Sequence, residues 1–399
     1  MANADALRAA PTEVPSGDRL EQAGLFALVA SAGALQFSIA AGQTLLAIAL
    51  LCWFALLVVR HERLDAPRFG WPLLGLAALT LVSAAFSPDP RASFVDAKQL
   101  LLFLTVPVTY RFVTGRRADL LLLVIMSLGA ASAAFGIVQY GIFHYDNLGQ
   151  RARGTLGHYM TYSGLLMLVI GVALAQLLFG VKDRVWALLV MPALAAGVAV
   201  TFTRSALVGS CAAAAVLLAL KDFRLMALFP VLAALFIAVA PPAVTARYAS
   251  IFDLKDPTNR DRLAMLQTGQ HMIQDRPLVG VGPTMVETLY PQYRAEGAVE
   301  QVNPHLHNVP LQIAAERGLP ALGCWLAFVA VALYDLVRGF RRRELPPVPA
   351  AAALAALVAM LTAGLFEYNF GDSEFLMLLL LLITLPFAAA RRTAPLHAA

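Results

Sequence analysis

Charge is scarce in this chain. Only 14% of its 399 residues are Asp, Glu, Lys or Arg, where a soluble domain carries about 25%. Hydrophobic residues make up 59%, and mean hydropathy is +0.71. The length-per-domain rule of soluble chains therefore does not apply. Cysteine is scarce too. Cys52, Cys211 and Cys324 all lie in apolar runs, which excludes a disulfide framework and a Cys-based metal site. A glycine-rich phosphate loop with lysine is absent, so nothing points to nucleotide use. No heptads or repeats stand out, and no nucleic-acid partner is expected. Residues 1–23 are polar at their start (Arg8, Pro11, Glu13, Asp18, Arg19). They read as a cytoplasmic tail and not as a cleavable signal peptide.

What the chain has is apolar runs. A bilayer-spanning helix needs about 20 mainly apolar residues. Such runs fall near 24–41, 43–59, 71–86, 98–113, 119–142, 159–180, 185–202, 205–220, 224–242, 310–337, 348–368 and 373–390. The expected fold is an all-α polytopic membrane protein of about twelve transmembrane helices. Nine spans occupy 24–242 and three occupy 310–390, with a tail at 391–399. Between them lies one long polar segment, 243–309.

Lys and Arg accumulate in the cytoplasmic loops of membrane proteins. Alternate loops carry Arg60, Arg63 and Arg68; Arg111, Arg116 and Arg117; Lys182 and Arg184; Lys221 and Arg224; Arg338 with Arg341 to Arg343; and Arg391 with Arg392. The intervening loops are poorer in basic residues, and one is an acidic turn around Glu367, Asp372 and Glu374. This alternation predicts both termini inside and the segment 243–309 outside.

Within that segment, Asn259-Arg260-Asp261 is positioned to cap a helix through Arg262, Met265 and Met272 to Asp275, ended by Pro277. Gly280-Val-Gly282-Pro283 reads as a tight turn. Met285 to Arg294 reads as a second short helix. His305-Leu-His307-Asn308 leads into the next span, where Pro310 is acceptable in a first turn.

The polar residues of this region are the functional candidates. Histidine is the side chain best placed to move a proton near neutral pH; a hydrated loop histidine or helix cap is the plainer reading of His307 and His305. A metal would need ligands beyond His-x-His and Glu316, and none cluster here. Arg204 sits between two apolar runs. It is either an interface anchor that snorkels or a functional cation, since an intramembrane arginine is costly. Arg260 and Arg262 form another cluster, which a solvated helix face would also explain. Arg151 and Arg153, before His158, form a third. Three arginine clusters on one membrane face point to a polyanion, and guanidinium suits phosphate.

At these residues the chain resembles the bacterial O-antigen ligase and polymerase family. The family pattern His-Asn-x-x-Leu-Gln is matched at His307, Asn308, Leu311 and Gln312. Asp275-Arg-Pro277-Leu-Val-Gly280-Val-Gly282 matches its Asp-x-Pro-x-x-Gly-x-Gly turn, and Glu316-Arg-Gly318 its Glu-x-Gly. Thr203-Arg204-Ser205 matches the arginine that opens a span, and Arg262-Leu-Ala-Met-Leu-Gln is similar to its arginine-bearing helix. Leu266, where an aromatic residue is common, and Pro310 are departures.

The resemblance implies a GT-C-like inverting glycosyltransferase at the periplasmic face of the bacterial inner membrane. Its donor would be undecaprenyl diphosphate-linked O-antigen and its acceptor a lipid A-core sugar hydroxyl, with no cofactor, metal or ATP. His307 would be catalytic and Arg204 and Arg262 would bind the diphosphate. Arg151, Arg153, His158, Arg260, His305, Asn308 and Glu316 would be secondary contacts. The family also holds polymerases and protein-directed oligosaccharide transferases; one dominant outer loop favours the ligase. A lipid-linked glycan flippase or transporter is the contrasting class. It would place charge near the bilayer midplane and show repeated halves.

Overall fold

A computed structural model describes residues 16–253 and 255–391. The expectations for 1–15 and 392–399 lie outside the described residues. Sixteen α-helices follow one another. The first eight are α1 (Ser16–Ala34), α2 (Ile39–Val59), α3 (Gly70–Ala85), α4 (Pro90–Asp96), α5 (Thr105–Phe112), α6 (Arg117–Gly141), α7 (Tyr159–Phe179) and α8 (Arg184–Ala199). The rest are α9 (Arg204–Lys221), α10 (Leu228–Val239), α11 (Pro242–Ala249), α12 (Pro257–Asp275), α13 (Met285–Tyr293), α14 (Val309–Arg341), α15 (Pro347–Ala363) and α16 (Ser373–Ala390). No β-strand occurs among the described residues; an isolated bridge pairs Asp146 with Arg151.

Among the described residues seven helices are long and apolar enough to cross a membrane: α2, Pro90–Phe112 (α4 and α5 joined by a 3₁₀ turn), α6, α7, α9, α14 and α16. Four shorter apolar helices are α3, α8, Phe223–Val239 and α15. This is a polytopic, all-helical membrane protein. The first expected pair of spans breaks at 35–38 and not at Gly42. Ser38 caps α2 by accepting from the Ala41 amide at 3.3 Å, and Gly42 lies inside α2, where a Cβ would strike the Leu35 side chain.

The centre of the bundle is α7, α15 and α16, whose residues are buried on nearly every side. A helix apolar all round is a helix surrounded by others. Most of α15 is alanine, and small side chains let neighbouring backbones approach closely. A Cβ on Gly171 of α7 would lie 3.0 Å from the Ala355 Cβ of α15.

One end of the bundle carries the long segment between α10 and α14. Two small cores fasten it. Met265, Met272, Val281, Met285, Val286, Tyr290, Leu306 and Ala315 pack α12 and α13 against the start of α14. Phe202, Val244 and Tyr248 pack α11 against the end of α8, where the Tyr248 hydroxyl donates to the Ala199 carbonyl at 3.1 Å. The turn 277–283 docks backbone to backbone on α14. The Val281 and Gly282 amides donate to the Ala315 and Glu316 carbonyls at 2.8 and 2.9 Å. Gly280 (φ +69°) and Gly318 (φ +83°) are needed there, because a Cβ would fall 2.3 Å from the Glu316 carbonyl and 2.2 Å from the Leu278 oxygen respectively. Left-handed backbone alone would already favour glycine.

The α12 start differs from expectation. Asp256, and not the Asn259–Asp261 stretch, is the N-cap: its carboxylate accepts from the Thr258 and Asn259 amides at 3.0 and 3.3 Å, and Pro257 takes the first turn. The Asn259 amide group instead donates to the carbonyls of Ser250 and Asp253 at 3.1 and 2.8 Å.

Candidate active site

The histidine loop is held from both sides. Asn308 caps α14 by accepting from the Leu311 amide at 2.9 Å, while its own side-chain N–H reaches the Leu365 carbonyl at 3.1 Å. The Val309 amide donates to the Gly364 carbonyl at 2.7 Å. The Gln312 side chain accepts from the Leu306 amide at 2.7 Å. The Asn and Gln of the His-Asn-x-x-Leu-Gln pattern thus bind backbone, and they bracket His307. His307 itself adopts φ +48°, a left-handed conformation that costs a non-glycine residue energy and recurs at functional sites.

Its partner is Glu367, on the connection from α15 to α16. His307 Nδ1 lies 2.9 Å from Glu367 Oε1. Burial would push the imidazole down, but the charge and hydrogen bond of Glu367 outweigh it, so the pKa of His307 is raised. Burial would raise the Glu367 carboxyl; His307 and then Arg262 outweigh that, and its pKa is lowered. An ionised carboxylate only accepts. In the neutral ring Nδ1 therefore carries the proton, and Nε2 is the acceptor. Glu367 Oε2 is buried and has no hydrogen-bond partner among the described residues.

Both histidines precede α14, which begins at Val309. The rings stand edge-on at 6.5 Å. His305 is exposed and leans on Tyr368, centroids 5.3 Å apart. Partial desolvation of its ring, and then the charge of the neighbouring His307, lower its pKa. Among the described residues, no three His, Cys, Asp or Glu groups are arranged to hold a metal ion.

A set of arginines is linked to the histidine through Arg262, whose charge acts on it. Arg204, the first residue of α9, is 5% exposed and donates to the Ser250 carbonyl and hydroxyl at 3.0 and 3.1 Å. It pairs with Asp256 at 3.4 Å. Arg247 on α11 pairs with the other Asp256 oxygen at 3.3 Å. Arg262 on α12 is half-buried and makes no hydrogen bond among the described residues; burial lowers its pKa while the charges of Glu367 and Asp256 oppose that. Arg151 stacks on Tyr159, 4.3 Å from the ring centroid, and is lowered by burial and by Arg247. His158 caps α7 through Nδ1 and stacks on Tyr159 at 4.6 Å; burial lowers its pKa. The charge of each of these groups acts on others in the set.

Other candidates stand apart. Arg260 is exposed on α12. Arg153 is exposed, with its guanidinium 5.7 Å from the Tyr145 ring. Glu316 is buried, accepts from the Thr284 amide at 3.0 Å and pairs with Arg317 at 2.9 Å. Arg317 in turn donates to the Tyr368 hydroxyl at 3.2 Å. Glu316 thus braces the loop carrying Glu367 through two intermediaries. Asp261, beside Arg262, accepts from the Val299 and Glu300 amides at 3.0 and 3.1 Å and anchors the return toward His305.

The reasoning from sequence missed Arg247, Asp256 and Glu367 as site residues. It also missed Asp372, which Thr161 contacts at 3.1 Å and which is pushed up to about 7 by burial and by Glu367. The available signal for Glu367 and Asp372 was acid in a short turn between two greasy runs.

Comparison with known families bears on this arrangement directly. Residues 189–326 match the family model described as O-antigen ligase. Over that stretch the chain is similar to the O-antigen ligase family, which supports that assignment. The match runs from α8 to the middle of α14 and takes in Arg204, Arg247, Asp256, Arg262, both histidines, Asn308 and Glu316. No curated protein matches the chain. The match supports a function of the ligase or polymerase type in general, and the apolar helices suit a multi-pass membrane protein.

Proposed function

We propose that this protein is an O-antigen ligase that transfers a glycan from undecaprenyl diphosphate to a lipid A-core sugar hydroxyl, with inversion. The observation that carries the reading is a chain of charges: Arg204 and Arg247 share Asp256, Arg262 lies within electrostatic reach of all three, and Arg262 acts in turn on a His307 whose Nδ1 is 2.9 Å from Glu367. The acceptor oxygen attacks the anomeric carbon opposite the phosphate. Its O–H proton passes to His307 Nε2, the new C–O bond forms, and the bond to the diphosphate oxygen breaks. The leaving diphosphate takes the electron pair and needs charge stabilisation more than protonation, which guanidinium groups supply in a partly dry site. Glu367 holds the ring and balances the imidazolium as it forms. Apolar faces of the spans beneath would receive the polyprenyl tail.

On this reading about twelve helices cross the inner membrane, with both termini cytoplasmic and the segment 243–309 periplasmic. One long segment, and not two, favours the ligase over the polymerase. A deletion strain tests this. The expected outcome is lipid A-core without polymer, with polymer accumulating on the lipid carrier. Single repeat units attached to core would assign the chain as a polymerase instead.

A further inference from the structure

Asp256 occupies an unusual position. Its two carboxylate oxygens divide between Arg204, at 3.4 Å, and Arg247, at 3.3 Å. Charge-assisted N–H···O bonds are shorter, about 2.7–2.9 Å, so both pairs are loose. Arg247 is otherwise under-used. Its side chain is 11% exposed, and its buried Nε has no hydrogen-bond partner among the described residues. A buried guanidinium N–H left unmade is costly unless something else fills it. Arg262, one helix turn and a half beyond Asp256, makes no hydrogen bond among the described residues and lies within electrostatic reach of both Arg247 and Asp256. A carboxylate bridging two guanidinium forks has the charge and oxygen spacing of one phosphate.

We propose that Arg247 is a third guanidinium of the donor diphosphate site, and that Asp256 is the resting counter-ion which the diphosphate displaces from Arg204 and Arg247. This rests on the donor reading above and adds to it a residue and an exchange of anions. Because Asp256 also caps α12, through the Thr258 and Asn259 amides, the exchange occurs at the end of the helix that carries Arg262. Filling the site and setting Arg262 are thus linked events. A purely structural Asp256, needed only as cap and ion-pair partner, makes the opposite prediction for binding.

Asparagine separates the two roles, since Asn and Asp are about equal as N-caps. Asp256→Asn keeps the cap and removes the competing charge. The full-length protein in nanodiscs is titrated with a polyprenyl diphosphate and with the matching monophosphate, beside Arg247→Gln and Arg204→Gln. Thermal unfolding of each unliganded variant reports folding. Loss of one charged contact should weaken diphosphate binding by Arg247→Gln about 10- to 100-fold, with a smaller effect on the monophosphate. Asp256→Asn should bind the diphosphate more tightly than wild type. Wild-type affinity in Arg247→Gln overturns the proposal, as does weaker binding in Asp256→Asn. If Arg247→Gln does not fold, Asp256→Asn decides alone: no tightening refutes the exchange. Wild-type protein that binds neither lipid would instead overturn the donor reading itself.

Discussion

Replacing Glu367 by glutamine tests the central pairing of the site with little change of shape. The Tyr368 amide also donates to Glu367 Oε1, at 3.2 Å. That contact should keep the oxygen end of a glutamine amide in place, so His307 Nδ1–H still finds an acceptor. What is lost is the negative charge. A hydrogen bond to a charged group is worth about 1.5–3 kcal/mol. The Glu367 side chain is only 11% exposed, so screening by salt should recover little of it. If the imidazolium forming in the transition state loses that stabilisation, kcat should fall about 10- to 100-fold.

The pH profile gives an independent reading of the same change. A base must be neutral to accept a proton, so wild-type activity should rise with pH through the raised pKa of His307. Without the Glu367 charge, burial and Arg262 remain, and both act to lower that pKa. The acidic limb should therefore move to lower pH as kcat drops. Transfer from purified lipid-linked donor to purified acceptor, followed as initial rate against pH, measures both. An unchanged limb with unchanged kcat would show that Glu367 does not act on His307, and the proton route would be lost with it.

His307→Ala should lose transfer by at least the 10²–10⁴-fold typical of general acid–base catalysis, about that range or beyond, with donor binding largely kept; His305→Ala should be milder. Substantial turnover in His307→Gln would mean the residue positions the acceptor and does not deprotonate it. Arg204→Lys and Arg262→Lys keep charge and lose the planar fork, so large losses of transfer at normal expression are expected, and near wild-type turnover in both would remove the diphosphate clamp. Gly318→Ala should lower thermal stability by more than the roughly 1 kcal/mol of ordinary substitutions, because its Cβ would fall 2.2 Å from the Leu278 oxygen. A normal melting temperature would refute the close docking of the 277–283 turn.

The sequence by itself determined the class of this molecule and much of its local chemistry. Apolar run length is a local property, so the helices and the long polar segment were readable along the chain. The motif around His307, the glycine turn and the start of a span within a residue or so of Val309 were readable for the same reason: each is a short-range pattern of caps, turns and donors. Arg204 and Arg262 could be singled out because a lone arginine beside apolar sequence is conspicuous. Only the tertiary structure decided who faces whom. Glu367 lies 60 residues beyond His307 in sequence and 2.9 Å away in space, brought there by the packing of α14 against α15. Asp256 and Arg247 read as ordinary loop charges until α11 docks on the end of α8. The protonation of His307 belongs to the second class as well. Its pKa is set by the competition of burial against a neighbouring carboxylate, and both depend on the assembled fold.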